Sequence, residues 1–287
     1  MIDDQLRLVK LPLCLFVGFS ALFGSVLAAS AISVETLTLG GGVVLLAMGG
    51  ASLNSIQERK IDSTMKRTAS RPLVNGRIRV CQAFVQALLL LVAGGMLIYL
   101  GSSGSWLVTM IGCFAIVLYN GVYTPLKQST PYALIPGAVC GALPPCIGWL
   151  GSGGELFSYP HWLLFFLFFL WQVPHFWLIT LYHKNDYKNS AQPSLVKQLR
   201  EKRLERLFFT WIGALVTVMM MFLSLPIRFD DLFRYAIVFN GVALLGCFYT
   251  VLAGRFFASN YRNLFTGLNL SLLFHMIIVL GARLTTS

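Results

Sequence analysis

The chain has 287 residues, 56% of them hydrophobic and only 11% charged, an apolar content far beyond what one water-soluble core of this length can hide. The net charge of +11 is not gathered into a basic, aromatic-interleaved soluble segment, so nucleic acid is excluded as a partner and a lipid bilayer or an anionic substrate is favoured.

A hydrocarbon core about 30 Å thick takes about 20 apolar residues in a helix. Nine windows meet that length: 9–30, 34–53, 80–100, 104–124, 132–150, 160–182, 207–227, 232–253 and 264–284. The N-terminal MIDDQLRLVK carries two acids, unlike a transit peptide, and the first apolar run is too long for a cleaved signal, so it is expected to be retained. The second window, around LTLGGGVVLLAMGGASL, is the weakest, because its glycines cost helix propensity, although they also allow close packing between membrane helices. In the fifth, Pro144 and Pro145 are expected to kink the helix, which is tolerated where freed backbone faces protein or a cavity. The rings of WLLFFLFFLWQ in the sixth are expected to face mostly lipid, and the six cysteines, with no CxxC pair, to be small buried hydrophobes.

Positive charge orients these spans. Of the 22 Lys and Arg, 19 fall at the N-terminus or in the loops after spans two, four, six and eight. By the positive-inside rule that side is cytoplasmic and the C-terminus external, in a multi-pass protein of the cell (inner) membrane.

The charge concentrates in NSIQERKIDSTMKRTASRPLVNG, residues 54–76. Asn54, Glu58 and Asp62 follow one another at i, i+4 and i+8, within an arc of roughly 80° on one helix face and about 6 Å of rise apart. Neighbouring carboxylates repel unless a cation lies between them, and a hard ion such as Mg²⁺ resolves the repulsion when phosphate oxygens and water complete its shell. Arg67 and Arg71 follow at i, i+4, with planar forks suited to a diphosphate. The competing reading is a solvated loop whose acids balance its bases.

A second acid, Asp186, follows span six, with His183, Lys184, Tyr187 and Lys188 around it. Acidic loops after spans two and six suggest a single transmembrane domain over residues 1–287 that repeats spans 1–4 as 5–8 and adds a ninth, on hydropathy and loop placement alone. Tyr119, Asn120, Tyr123 and Thr124 stand at the cytoplasmic end of span four, where the tyrosines suit either shielding of a carbocation or interfacial anchoring. His175, two turns before the end of span six, is a costly polar group at membrane depth, suited to a functional role or to a hydrogen bond with a neighbouring helix. His275, in span nine, has no polar companion in the sequence.

Asn54-xxx-Glu58-xxx-Asp62 followed by MKRTASRPLVNG resembles the first acidic motif and the RT-xx-RPL-xx-G tail of the UbiA superfamily of intramembrane prenyltransferases. YNGVYTPLKQSTP (119–131), GALPPCIGW (141–149) and WQVPHFW (171–177) resemble the heme O synthase family within it. The resemblance implies an all-α integral membrane fold of nine transmembrane helices around a central cavity. It also implies an enzyme that ionises an allylic diphosphate with the help of Mg²⁺, the donor being farnesyl diphosphate and the acceptor a vinyl group of heme b, which is substrate and not resident cofactor. Glu58, Asp62 and Asp186 are then the Mg²⁺ ligands, with Asn54 in support. Lys127 and Tyr123 complete the catalytic set. Arg67, Arg71 and Lys184 grip phosphate, while Tyr119, Asn120, Tyr187 and His175 surround substrate, His175 ligating the heme iron or placing the porphyrin. Terminal-oxidase or heme A assembly proteins are the partners this suggests.

Four departures stand out. Glu58 occupies a usual Asp position, Lys10 and Pro12 are split where a Lys-Pro pair is expected, His183 replaces a usual basic residue, and AQPSL replaces a Gly-Ile-Pro-Met-Leu-like run. A relative prenylating a quinone precursor or other aromatic acceptor, or a non-catalytic membrane heme carrier, is the alternative.

Overall fold

The computed structural model describes residues 2–65, 67–183, 193, 201–253 and 261–285. Among them nine helices are long and apolar enough to cross a bilayer, as the nine hydropathic windows predict. They are α1 (Leu11–Ala29), α2 (Val34–Gln57), α3 (Val80–Gly101), α4 (Trp106–Ile116, continued by Val117–Tyr123 and Thr124–Leu126), α5 (Leu134–Gly151), α6 (Tyr159–Tyr182), α7 (Glu201–Met221), α8 (Asp231–Ala253) and α9 (Tyr261–Thr285).

Between membrane helices there is no hydrophobic driving force, so contact depends on how closely backbones approach. Glycine sets that distance at two crossings. A Cβ on Gly24 of α1 would fall on the Pro145 carbonyl of α5, and one on Gly148 would fall on the Ala21 carbonyl of α1. Ser25 Oγ donates to the Gly148 carbonyl across the same contact, at 3.2 Å. In α2, the helix with the weakest sequence signal, Gly42 lies against Ile98 and Gly94 of α3, and Gly49 against Leu91. The glycines that lowered its propensity seat it.

Two apolar clusters result. The larger joins α1 with α5 to α9, through Phe23, Leu164, Phe208 and Leu268; the smaller joins α1, α2, α3, α4 and α5, through Ala21, Leu46, Ile98, Val108 and Ile147. At the end of α1 opposite the charged loop, Arg283 of α9 donates from Nε to the Leu27 carbonyl at 3.1 Å, satisfying an acceptor the helix terminus leaves open.

Two expectations change. The rings of α6 do not mostly face lipid: Phe166 is exposed, but Phe168 is buried and Phe165 and Phe169 partly so, because α6 packs against both α5 and α7. The cysteines are not uniformly buried; Cys14 and Cys146 are, Cys140 is half-buried, and Cys81, Cys113 and Cys247 stand on the outer surface. Pro144 and Pro145, both buried, lie inside α5, on the face that meets α1 at the Gly24 crossing.

A short helix, Ile2–Leu8, precedes α1. Its Leu8 packs with Leu73, Ile78 and Ala83, and its Asp4 pairs with Arg77 at 2.8 Å. Arg77 also donates to the Ser70 carbonyl at 2.8 Å, which ties this helix to the loop carrying Arg67 and Arg71. The chain then turns through Lys10 in the left-handed region (φ 52°) and enters α1.

Candidate active site

A cavity of about 690 Å³ lies among α1, α2, α4, α5, α6 and α9. Its deep walls are apolar, formed by residues such as Phe16, Leu46, Ile147, Phe168 and Trp171, while its end beside the charged loop is lined by Lys10, Asn54, Glu58, Asp62, Arg67, Arg71 and Lys127. Leu13 of α1 and Leu270 of α9 line the cavity yet are 53% and 58% exposed, so its wall reaches the outer surface at both helices.

The acidic motif keeps its register through a helix end. α2 stops at Gln57 and a single turn, Arg59–Asp62, follows. Glu58 N–H still donates to the Asn54 carbonyl at 2.9 Å, and Asp62 N–H to the Glu58 carbonyl at 2.8 Å, so all three side chains reach the cavity as their spacing predicts. Glu58 and Asp62 are only 6% and 5% exposed. A buried carboxylate stays ionised only with a partner. Lys127 of the α4 end pairs with Glu58, and Arg71 Nη1 lies 2.5 Å from Asp62 Oδ2. Acidic and basic groups, separate halves in the sequence, are therefore interleaved in space, while Arg67, also lining the cavity, makes no ion pair among the described residues.

Lys10 completes this end and was not among the predicted site residues. Its Nζ donates to Asn54 Oδ1 at 2.7 Å, and Asn54 Nδ2 donates to Thr124 Oγ1 at 3.1 Å, so one amide bridges α1, α2 and α4. The signal was present as the split Lys-Pro pair, but a lysine before a membrane helix looks like any interfacial charge. Burial, then the nearby Arg71 guanidinium, pull its pKa down to about 8, with Glu58 acting in the opposite direction. An anion entering between Lys10 and Arg71 would restore it.

In α4 the stretch Val117–Tyr123 is a π-helix. Pro125 lacks the N–H that would bond Gly121, and Thr124 donates both its N–H and its hydroxyl (2.8 Å) to the Tyr119 carbonyl. That frees the Asn120 carbonyl, which accepts from Gln57 Nε2 at 3.0 Å. Asn120 Nδ2 donates to the Gly50 carbonyl at 3.0 Å and to Gln57 Oε1 at 3.2 Å. Asn120, predicted to contact substrate, instead braces α2 against α4 and does not line the cavity. Tyr119 and Tyr123 do line it, their rings stacked at 5.6 Å, with Lys127 Nζ 5.2 Å above the Tyr123 ring.

His175 lines the cavity from α6, between the rings of Trp171 (4.3 Å) and Phe265 (4.9 Å), with Nδ1 2.9 Å from Asn269 Oδ1. His275 is fully buried against Phe222, away from the cavity. Asp186, Lys184 and Tyr187 lie outside the described residues. Among those described no three His, Cys, Asp or Glu gather as a metal cluster. Two buried carboxylates on one wall still fit Mg²⁺, which is commonly held by one or two carboxylates together with substrate phosphates.

Residues 17–273 match the model of the UbiA prenyltransferase family. The protoheme IX farnesyltransferase of Oleidesulfovibrio alaskensis is 34% identical over 271 residues, covering 94% of this chain and 93% of that one. That of Geobacter sulfurreducens is 39% identical over 200 residues, covering 67% of this chain and 70% of that one. Among solved structures, a digeranylgeranylglyceryl phosphate synthase superposes with a TM-score of 0.79 at 14% identity over 99% of both chains. A UbiA homologue from Archaeoglobus fulgidus bound to GPP and Mg²⁺ superposes with a TM-score of 0.66 at 15% identity, covering 98% of this chain and 99% of that one. At these identities the solved structures share the fold.

Proposed function

The chain belongs to the UbiA prenyltransferase family, and from that premise we propose that it transfers a farnesyl group from farnesyl diphosphate to a vinyl group of heme b, giving heme O. The observation that carries this reading is the pairing of buried Glu58 and Asp62 with Lys127 and Arg71 at the charged end of an apolar cavity that also holds His175. A simple heme carrier has no use for such a charged end.

The residues divide the work. Arg67, Arg71, Lys10 and Lys127 gather the diphosphate, with Lys184, which follows α6 in the sequence, added to them. Glu58, Asp62 and Asp186 would hold Mg²⁺, which would supply neutralisation of charge on the leaving group. Asn54 keeps Lys10 directed toward the same end. Cleavage of the allylic C–O bond sends its electron pair to the departing diphosphate, and the preorganised cations stabilise that charge in a water-poor site. The Tyr119 and Tyr123 rings face the allylic cation, whose C1 forms a bond to the terminal vinyl carbon. Water adds to the carbocation left on the heme side chain and loses a proton, giving the hydroxyethylfarnesyl group. Tyr187 and His175 hold the acceptor, and Asn120 contributes by bracing α4.

We assign the whole chain to one transmembrane domain in the cell (inner) membrane, with the N-terminus and acidic loops cytoplasmic, the C-terminus external, and spans 1–4 and 5–8 as a pseudo-repeat. A reporter fused after Gly101 is expected to behave as external and one fused after Lys188 as cytoplasmic; the reverse pattern rejects the orientation. The product would pass to terminal-oxidase or heme A assembly proteins.

Mass spectrometry of porphyrins extracted from membranes expressing the chain tests the reaction directly. Heme O is expected only when the active chain is present. Good expression without heme O, accompanied by prenylation of 4-hydroxybenzoate, would instead assign the chain to quinone-precursor chemistry.

A further inference from the structure

Beyond the predicted residues, the cavity holds a polar side chain of α9, Asn269, which among the described residues is hydrogen-bonded to His175 and to its own helix. Its Nδ2 donates to the Phe265 carbonyl, four residues earlier, at 2.7 Å. Reversing the amide would set two acceptor oxygens against each other, so Oδ1 is fixed on the side of His175. A carbonyl oxygen only accepts. The 2.9 Å contact to His175 Nδ1 therefore requires hydrogen on Nδ1, and Nε2 is left with a lone pair. Among the described residues Nε2 makes no hydrogen bond, and Trp171 and Phe265 on either side restrict rotation of the ring.

We infer that Asn269 is a positioning residue that holds His175 in the Nδ1–H tautomer, presenting Nε2 to the cavity as an axial ligand for the iron of a porphyrin acceptor. This rests on the heme-directed reading of the site. Metal-binding imidazoles are commonly fixed by an acceptor on their other nitrogen, and loss of that acceptor costs about 10–100-fold in metal affinity. Nothing in the sequence pairs the two residues, which are 94 positions apart.

The test uses the full chain in nanodiscs, titrated with ferric protoporphyrin IX and followed by its Soret band, together with ¹⁵N NMR of labelled histidine assigned through His175→Ala. The wild type is expected to show the histidine-dependent Soret shift and a protonated Nδ1 at His175. Asn269→Leu is expected to weaken porphyrin binding about 10-fold or more and to move the proton toward Nε2, while Asn269→Asp, which keeps an acceptor, retains both signatures. An Asn269→Leu protein with the wild-type tautomer and binding curve overturns the inference. If His175→Ala leaves the wild-type Soret shift unchanged, iron ligation by His175 is what fails; a wild type with Nε2–H overturns the role of Asn269 whatever the spectrum shows.

Discussion

Asp62→Asn is expected to lower prenyl transfer by about 10²-fold or more, the scale of losing one preorganised electrostatic group from a dry site, while the protein remains folded. The substitution keeps the side chain's shape and an oxygen for Arg71, but removes one of the two negative charges among Lys10, Arg67, Arg71 and Lys127. Diphosphate alone would then bind at least as well. What is lost is affinity for Mg²⁺ and, with it, stabilisation of charge appearing on the leaving group, so kcat falls while KM for the donor changes little. Turnover measured across a Mg²⁺ titration checks this: the variant should need more Mg²⁺ and still not recover. Glu58→Asp, which shortens the side chain by one methylene, keeps the charge and should stay much closer to the wild type. Unchanged turnover in Asp62→Asn would remove the motif from the mechanism.

The largest loss of stability is expected at Gly148. A valine there places Cβ on the Ala21 carbonyl of α1, and neither backbone can move aside without separating α1 from α5. Ordinary overpacking costs about 1–3 kcal/mol because side chains yield. Here none is available to yield, and more than about 3 kcal/mol is expected, a large fraction of the roughly 5–15 kcal/mol that holds a typical protein folded. Gly213→Ala is the matched control, because a Cβ there meets nothing within 4 Å; in a helix interior it should stabilise by about 0.5–1 kcal/mol. Thermal unfolding midpoints in one detergent compare the two. If Gly148→Val melts with the wild type, the close crossing of α1 and α5 is wrong.

The nine spans were legible because each is a long apolar run, and the Asn54-Glu58-Asp62 face because its spacing is local. Partners across the bundle were not. Glu58 meets Lys127 and Asn54 meets Lys10 through packing that no spacing encodes, and Asp62 meets Arg71 only through the way their own loop folds back. The same limit hid Asn269, which looks like any polar residue in an apolar helix. Which way Asn120 and the α6 rings point was equally hidden, since a helix apolar all round carries little amphipathic signal. At α4 the local conformation decided the outcome: Pro125 and Thr124 shift the hydrogen bonds by one residue and aim Asn120 at Gln57 instead of the cavity. Asp186, Lys184 and Tyr187 lie outside the described residues, so their placement rests on sequence alone.

Leu13 and Leu270 carry the cavity wall out to the lipid-facing surface on α1 and α9. Under the proposed reaction, a prenyl chain and a porphyrin would approach by lateral diffusion in the bilayer, without crossing bulk water. For such a catalyst the governing quantity is mole fraction in the bilayer, not molarity: extra lipid dilutes its substrates, whereas extra buffer does not.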